Sequence, residues 1–152
     1  MVTGKERVSM IQMLIKIRKA LSDDMSFIKE CIEKFQLDDE DLDCRQFVVA
    51  VEGNEIVGFG RIRPHKEVYE LGSIGVVEHK RNQGIGEMII KYLIDNFPTD
   101  DVYITTDIPE YFKKLGFKKT EPSPKELVEK LERICKSKCR EGAIVMVYKK
   151  GD

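Results

Sequence analysis

Residues 75–86 read Gly-Val-Val-Glu-His-Lys-Arg-Asn-Gln-Gly-Ile-Gly and run into the apolar-periodic residues Met88, Ile89, Tyr92 and Leu93. A strand ending at Val77, a polar turn and a helix opening beside Ile85 would line up unpaired backbone N–H groups at a helix N-terminus. That is an anion site. Gly84 and Gly86 let the backbone close on a ligand, and Lys80 and Arg81 put positive charge beside it, so a guest carrying phosphates fits. Upstream, Arg61 and Arg63 alternate along one run and project to the same side of a strand. They could hold a carboxylate by charge-assisted bonds, or equally be two cations facing solvent. His65, in the turn Pro64-His65-Lys66-Glu67, could act as a base, although a single turn histidine is more often just exposed.

Two common phosphate loops are excluded by spacing. A dinucleotide fingerprint needs a third glycine beyond Gly86, and a P-loop needs Lys and Ser or Thr where Glu87 follows Gly86. What remains is Arg81-Asn82-Gln83-Gly84-Ile85-Gly86, an Arg-x-x-Gly-x-Gly run directly after a strand. It resembles the acetyl-CoA-binding motif of the GCN5-related N-acetyltransferase (GNAT) family. A second segment, Tyr111-Phe112-Lys113-Lys114-Leu115-Gly116-Phe117, is similar to the family's Tyr-Glu-Lys-Leu-Gly-Phe signature, and the resemblance runs from about Met13 to Lys149. One departure is Glu78, which stands where many members have proline.

The resemblance implies acetyl-CoA as cosubstrate, with its diphosphate on the amides of Arg81, Asn82, Gln83, Gly84, Ile85 and Gly86. It implies that the pantetheine arm pairs with a bulged or splayed strand at Ile74, Val76 and Val77, and that amides around Val76 and Val77 hold the developing oxyanion. Glu70 lies where several relatives carry an acid and is the expected catalytic base, direct or through water; the other reading pairs it with Arg61 or Arg63. Many members protonate the leaving thiolate with a tyrosine where this chain has Phe112. Either no side-chain acid is used here or another residue serves. The acidic stretch Asp38, Asp39, Glu40, Asp41 and Asp43 falls where the family borders its acceptor, and it could favour a cationic acceptor or be a solvated loop.

The composition leaves room for this and removes other classes. With 152 residues the chain suits one core, and 26 basic against 27 acidic side chains give a net charge of −1, so no global field draws it to nucleic acid or an anionic membrane. No apolar run approaches a membrane span, and the expected location is cytoplasmic. Cys31, Cys44, Cys135 and Cys139 are then expected as thiols. Cys135 and Cys139 alone fall short of a four-ligand set, so no metal is expected.

The positioning elements follow from periodicity. Residues 1–12 show little pattern and are expected to be a mobile leader, followed by a single domain over 13–152. The run from Met13 to Arg18 reads as a first strand, and Ser22 is expected to cap a helix through Phe35. Gly53-Asn54 turns a hairpin between Gln46–Glu52 and Glu55–Arg63, on whose second strand Gly58 and Gly60 leave a face open to close approach. The strand Val68–Val77 leads to the loop helix, and Val102–Thr106, a helix closing at Gly116 and Phe117–Thr120 follow. Ser123-Pro124-Lys125-Glu126 reads as a capping box opening a helix with an inner stripe of Leu127, Val128, Leu131, Ile134 and Cys135, before a last strand at Ala143–Lys149.

Together these imply an α/β fold of GNAT type: a mixed, mostly antiparallel central sheet with helices on both faces. The expected function is acetyl transfer from acetyl-CoA to a primary amine of a small molecule, an amino acid in the most specific form, by direct attack in a ternary complex. A protein or peptide acetyltransferase and a non-catalytic CoA-binding regulatory module are the alternatives. A homodimer is compatible with the sequence; the acceptor and the assembly are not readable from it.

Overall fold

The structure is a computed structural model describing residues 10, 12–138 and 142–151. The expected leader at residues 1–9 and 11 lies outside the described residues, as does Cys139. The elements are β1 Ile15–Lys19, α1 Met25–Phe35, β2 Phe47–Glu52, β3 Glu55–Pro64, β4 Tyr69–Val76, α2 Ile85–Asp95, β5 Asp101–Thr106, α3 Pro109–Lys114, β6 Lys118–Lys119, α4 Lys125–Lys138 and β7 Ile144–Lys149. Seven strands form one sheet in the order β1-β2-β3-β4-β5-β7-β6. The β1/β2, β2/β3, β5/β7 and β6/β7 pairs are antiparallel, while β4 and β5 run parallel and meet at Glu70 and Tyr103. The mixed, mostly antiparallel α/β class expected from the sequence is the observed one.

The chain divides into two compact units, one made of Met1–Arg61 with Ser73–Asp95, the other of Ile62–Gly72 with Asn96–Asp152. In the first, β1 starts at Ile15 rather than Met13. Met13 is helical and 83% exposed, so the alternation that carries the strand begins only where an apolar residue is buried. Ser22 lies in a 3₁₀ turn ahead of α1, and it is Asp24 that closes the entry, accepting a hydrogen bond from the Leu21 N–H at 2.7 Å and one from Arg18 Nη1 at the same distance. Met25, Ile28, Cys31 and Ile32 of α1 pack with Phe47, Val49 and Phe59 into one apolar cluster. Cys31 is part of it, and burial pushes its thiol pKa up, with the Glu30 carboxylate adding to the effect.

The hairpin turns at Gly53, whose φ of 62° is the left-handed geometry that glycine adopts without strain. The open face on β3 belongs to the chain itself. A Cβ on Gly58 would lie 2.8 Å from Cδ1 of Ile89, and one on Gly60 would lie 2.9 Å from Cδ1 of Leu93, so α2 seats directly on the strand. Gly75 of β4 is tighter still, because a Cβ there would come within 2.6 Å of the buried ring of Phe59. Those three contacts fix the height of α2 and of the end of β4.

In the second unit Val102 and Ile104 of β5 are buried with Val145, Met146 and Val147 of β7. Phe112 of α3 meets Phe117 edge-on at 5.5 Å between ring centroids. The inner face of α4 is Leu127, Lys130 and Ile134; Val128, placed on the inner stripe by periodicity, is 40% exposed. No capping box forms at its start. The backbone carbonyl of Pro124 accepts from the N–H groups of Leu127 and Val128, and the Glu126 carboxylate turns away to accept from the Glu67 N–H at 3.0 Å. Among the described residues no helix is long and apolar enough to cross a membrane, and no group of three or more His, Cys, Asp or Glu could hold a metal ion.

Candidate functional site

In the first unit, β4 ends at Val76, a 3₁₀ turn covers Glu78–Lys80, and Asn82 and Gly84 both take left-handed backbone with φ of 64° and 83°. The first helical bond of α2 runs from the Met88 N–H to the Gly84 carbonyl at 3.1 Å. The N–H groups of Ile85, Gly86 and Glu87 therefore precede any partner that the helix can supply and stand at its positive end. The buried Oε1 of Gln83 has no hydrogen-bond partner among the described residues, which leaves an unmet polar atom inside the loop.

Arg81 fastens the loop from above: Nε donates to the Val76 carbonyl at 2.9 Å, and the guanidinium lies 4.7 Å from the Phe35 ring centroid. Lys80, counted from sequence among the loop's cations, is instead paired with Glu52 at 3.0 Å. The Val77 N–H donates to the Val57 carbonyl at 3.0 Å, so this amide belongs to the sheet. Strand alternation turns the Val76 N–H to the opposite edge of β4, which narrows the oxyanion reading to Val76. Within β4 the left-handed residue is Ser73, upstream of Ile74, with φ of 47°.

Ser73 bends because its hydroxyl is committed. It donates to the Asp38 carbonyl at 2.9 Å and accepts from Arg61 Nε at 3.0 Å. Arg61 is 0% exposed and spends the rest of its guanidinium inside the same unit, on Gln46 Oε1 at 2.8 Å, the Asp41 carbonyl at 3.4 Å and the Asp38 carboxylate at 3.2 Å. Its plane also lies 5.5 Å from the Phe47 ring centroid. Asp38 and Asp41 of the acidic stretch are thus held by one buried cation, while the Asp43 carboxylate pairs with Arg45 at 2.8 Å. Arg63, two residues further along β3, is buried too, so neither arginine is a cation facing solvent.

Glu70, at 1% exposure, is the hub of a buried cluster in the second unit. His65 Nε2 lies 2.8 Å from Oε1, the Thr105 hydroxyl donates to Oε2 at 2.8 Å, and Lys130 Nζ donates to Oε2 as well as to Thr105 Oγ1, the latter at 3.0 Å. Burial is the largest single influence on the Glu70 carboxyl and pushes its pKa up. The Lys130 ammonium and the hydrogen bonds from His65, Lys130 and Thr105 together outweigh it, so the group lies below the ordinary glutamate range and is ionised. Its partners are neither Arg61 nor Arg63. Lys130 and Thr105 were not singled out from sequence, yet a signal existed: Lys130 is three residues after Leu127 and four before Ile134, on the buried stripe, and a lysine there demands a buried acid.

The model of the Acetyltransferase (GNAT) domain matches residues 43–119, half of the chain. Among solved structures, N-acetylglutamate synthase from Neisseria gonorrhoeae, complexed with coenzyme A and N-acetyl-glutamate, superposes with a TM-score of 0.73 at 16% identity over 89% of this chain. This chain covers 35% of that one, and 33% of the same enzyme complexed with coenzyme A and L-arginine, so it spans about a third of their length. Rv2747 from Mycobacterium tuberculosis, in complex with CoA and NLQ, superposes with a TM-score of 0.69 at 19% identity, covering 88% of this chain and 98% of that one. Escherichia coli ElaA gives 0.64 at 14% identity over 90% of this chain and all of the other. At these identities the structures speak for the fold, and the family match takes in β2, β3, β4, the Arg81–Gly86 loop, α2 and the Leu115-Gly116-Phe117 segment: the chain belongs to the GNAT acetyltransferases, the family of enzymes that use acetyl-CoA as acetyl donor.

Proposed function

We propose that this chain transfers the acetyl group of acetyl-CoA to the primary amine of a small molecule, an amino acid in the most specific form, inside a ternary complex. The loop of the first unit carries the reading. Left-handed Asn82 and Gly84 turn the chain straight from β4 into the positive end of α2, where the first-turn N–H groups have no partner within the helix. The amides of Gln83, Gly84, Ile85 and Gly86 are the proposed diphosphate cradle, with Ile74 and Val76 beside the arm of the cosubstrate and Arg81 holding the loop shut.

In the reaction the amine nitrogen attacks the thioester carbonyl, the C–N bond forms, the C–S bond breaks and the thiolate departs. A thiolate leaves at neutral pH without a strong acid, which suits Phe112 in the place of the family's tyrosine. Glu70, ionised and fixed by three neighbours, is the proposed carboxylate behind the proton transfer, acting directly or through an intervening group. For an amino-acid acceptor, Arg63 is the proposed direct partner of the carboxylate. Arg61 serves the acceptor side through the Asp38–Asp41 segment that it holds, its own donors being engaged already. The N-acetyl-glutamate bound by the Neisseria gonorrhoeae synthase, an acetylated amino acid, supports that choice of acceptor. The site of action proposed is the cytoplasm.

Thiol release from acetyl-CoA with L-glutamate, L-arginine, tyramine and a lysine-containing peptide tests the reading. Turnover is expected, with amino acids ahead of tyramine, and Arg63→Ala should raise KM for amino acids roughly 10-fold or more while leaving tyramine unaffected, the size of one charge-assisted bond. Tyramine ahead of the amino acids would remove the carboxylate contact. Preference for the peptide would move the acceptor to a protein amine, and binding of acetyl-CoA without turnover on any amine would make the chain a regulatory module.

A further inference from the structure

We infer that His65 is the group that takes the proton from the incoming amine, with Glu70, Thr105 and Lys130 as the residues that position its ring; this rests on the acetyl-transfer reading above.

The argument starts from the direction of each hydrogen bond around Glu70. An ionised carboxylate only accepts. Lys130 Nζ only donates, so Thr105 Oγ1, 3.0 Å from it, accepts there and spends its own proton on Glu70 Oε2. The remaining oxygen, Oε1, faces His65 Nε2 at 2.8 Å and must also receive a proton. Nε2 therefore carries the hydrogen, and in the neutral ring Nδ1 holds the lone pair. Among the described residues no donor reaches Nδ1.

Glu70 itself is a poor partner for an amine. It is buried, and both of its oxygens are already engaged by its three neighbours. His65 is the less enclosed of the two, its side chain 7% exposed against 1% for Glu70. Its backbone is fixed as well. The His65 N–H donates to the Val68 carbonyl at 2.8 Å, closing the turn, and the Glu126 carboxylate of α4 accepts the Glu67 N–H within that turn. The same helix thus holds the turn through Glu126 and the ring's carboxylate through Lys130. A carboxylate that fixes the tautomer of a histidine and faces the imidazolium that forms is the arrangement by which a buried acid acts through a histidine base.

The step balances without a further reagent. The ammonium form of the acceptor gives one proton to Nδ1, and the freed amine attacks the thioester. As the amide forms, the second proton goes to the departing thiolate. The imidazolium returns its proton to solvent.

The test uses the full chain, whose only two histidines are His65 and His79. Nitrogen-15 NMR of labelled protein, with His79→Gln to assign the signals, should show His65 protonated at Nε2 and bare at Nδ1 in the neutral ring; a proton on Nδ1 overturns the proposal whether or not any acceptor is found. In the thiol-release assay with the best amine of the panel, His65→Gln should fold and melt as the parent does, since its amide can still donate to Glu70, but lose roughly 100-fold or more in kcat with little change in KM. Added imidazole should restore part of the rate to His65→Ala. A His65→Gln protein with parental kcat overturns the inference and leaves the acetyl-transfer reading standing, whereas a parent that releases no thiol with any amine brings down that reading.

Discussion

Lys130→Met should lose about 3–5 kcal/mol of stability in urea unfolding, the range for removing one partner of a buried ion pair. Glu70 is left 1% exposed with its hydrogen bonds from His65 and Thr105 but without the ammonium that offsets its burial. Replacing both charges, as in Lys130→Met with Glu70→Leu, should recover much of the loss, because apolar pairs of similar volume often match a buried ion pair. The pH dependence carries a sign. The folded Glu70 pKa lies below its unfolded value, so its contribution is fully present above the ordinary glutamate range and fades as the pH falls through the folded value. In Lys130→Met the burial effect is no longer outweighed by the ammonium, so the corresponding loss should begin at higher pH. Urea titrations of both proteins across acid pH measure this directly, and coincident profiles would contradict it.

Arg61→Met is the second large effect, again about 3–5 kcal/mol, since it removes the buried cation facing the Asp38 carboxylate together with the donor to Ser73 and Gln46. The damage should be local as well as global. Hydrogen exchange ought to quicken over residues 38–46 before the rest of the first unit responds, because Arg61 and Ser73 tie that stretch down through the Asp38 and Asp41 carbonyls. Unchanged exchange in that stretch would mean that the cluster does not hold it.

Which features were legible beforehand follows from the range of the forces involved. Local signals were sufficient for the hairpin at Gly53, the strand-to-helix turn at Asn82 and Gly84, and the amphipathic stripe of α1, and each appears where its residues placed it. The apolar face of α1, for example, needs nothing beyond its own spacing. Polar side chains with distant partners were misread. Glu126 looked like a cap for Ser123 because the two are close in sequence, yet the orphan N–H that it satisfies is that of Glu67, 59 residues away. Glu70 was offered Arg61 or Arg63 as partners because they lie on the neighbouring strand, while the cation it meets comes from α4, 60 residues on. The glycines of β3 were read as a face open to close approach, and Ile89 and Leu93 of α2 are the groups that approach. In each case the sequence showed that a polar or open position needed a partner, and only the tertiary arrangement could say which.

The central claim is that the loop from Arg81 to Gly86 binds the diphosphate of acetyl-CoA, and isothermal titration of acetyl-CoA into the purified chain tests it most directly. Saturable binding at one site per chain is expected, weakened strongly by Gly84→Val, whose branched side chain opposes the φ of 83° that opens the loop. A titration with no binding heat, together with an unfolding midpoint that acetyl-CoA leaves unmoved, would contradict the account.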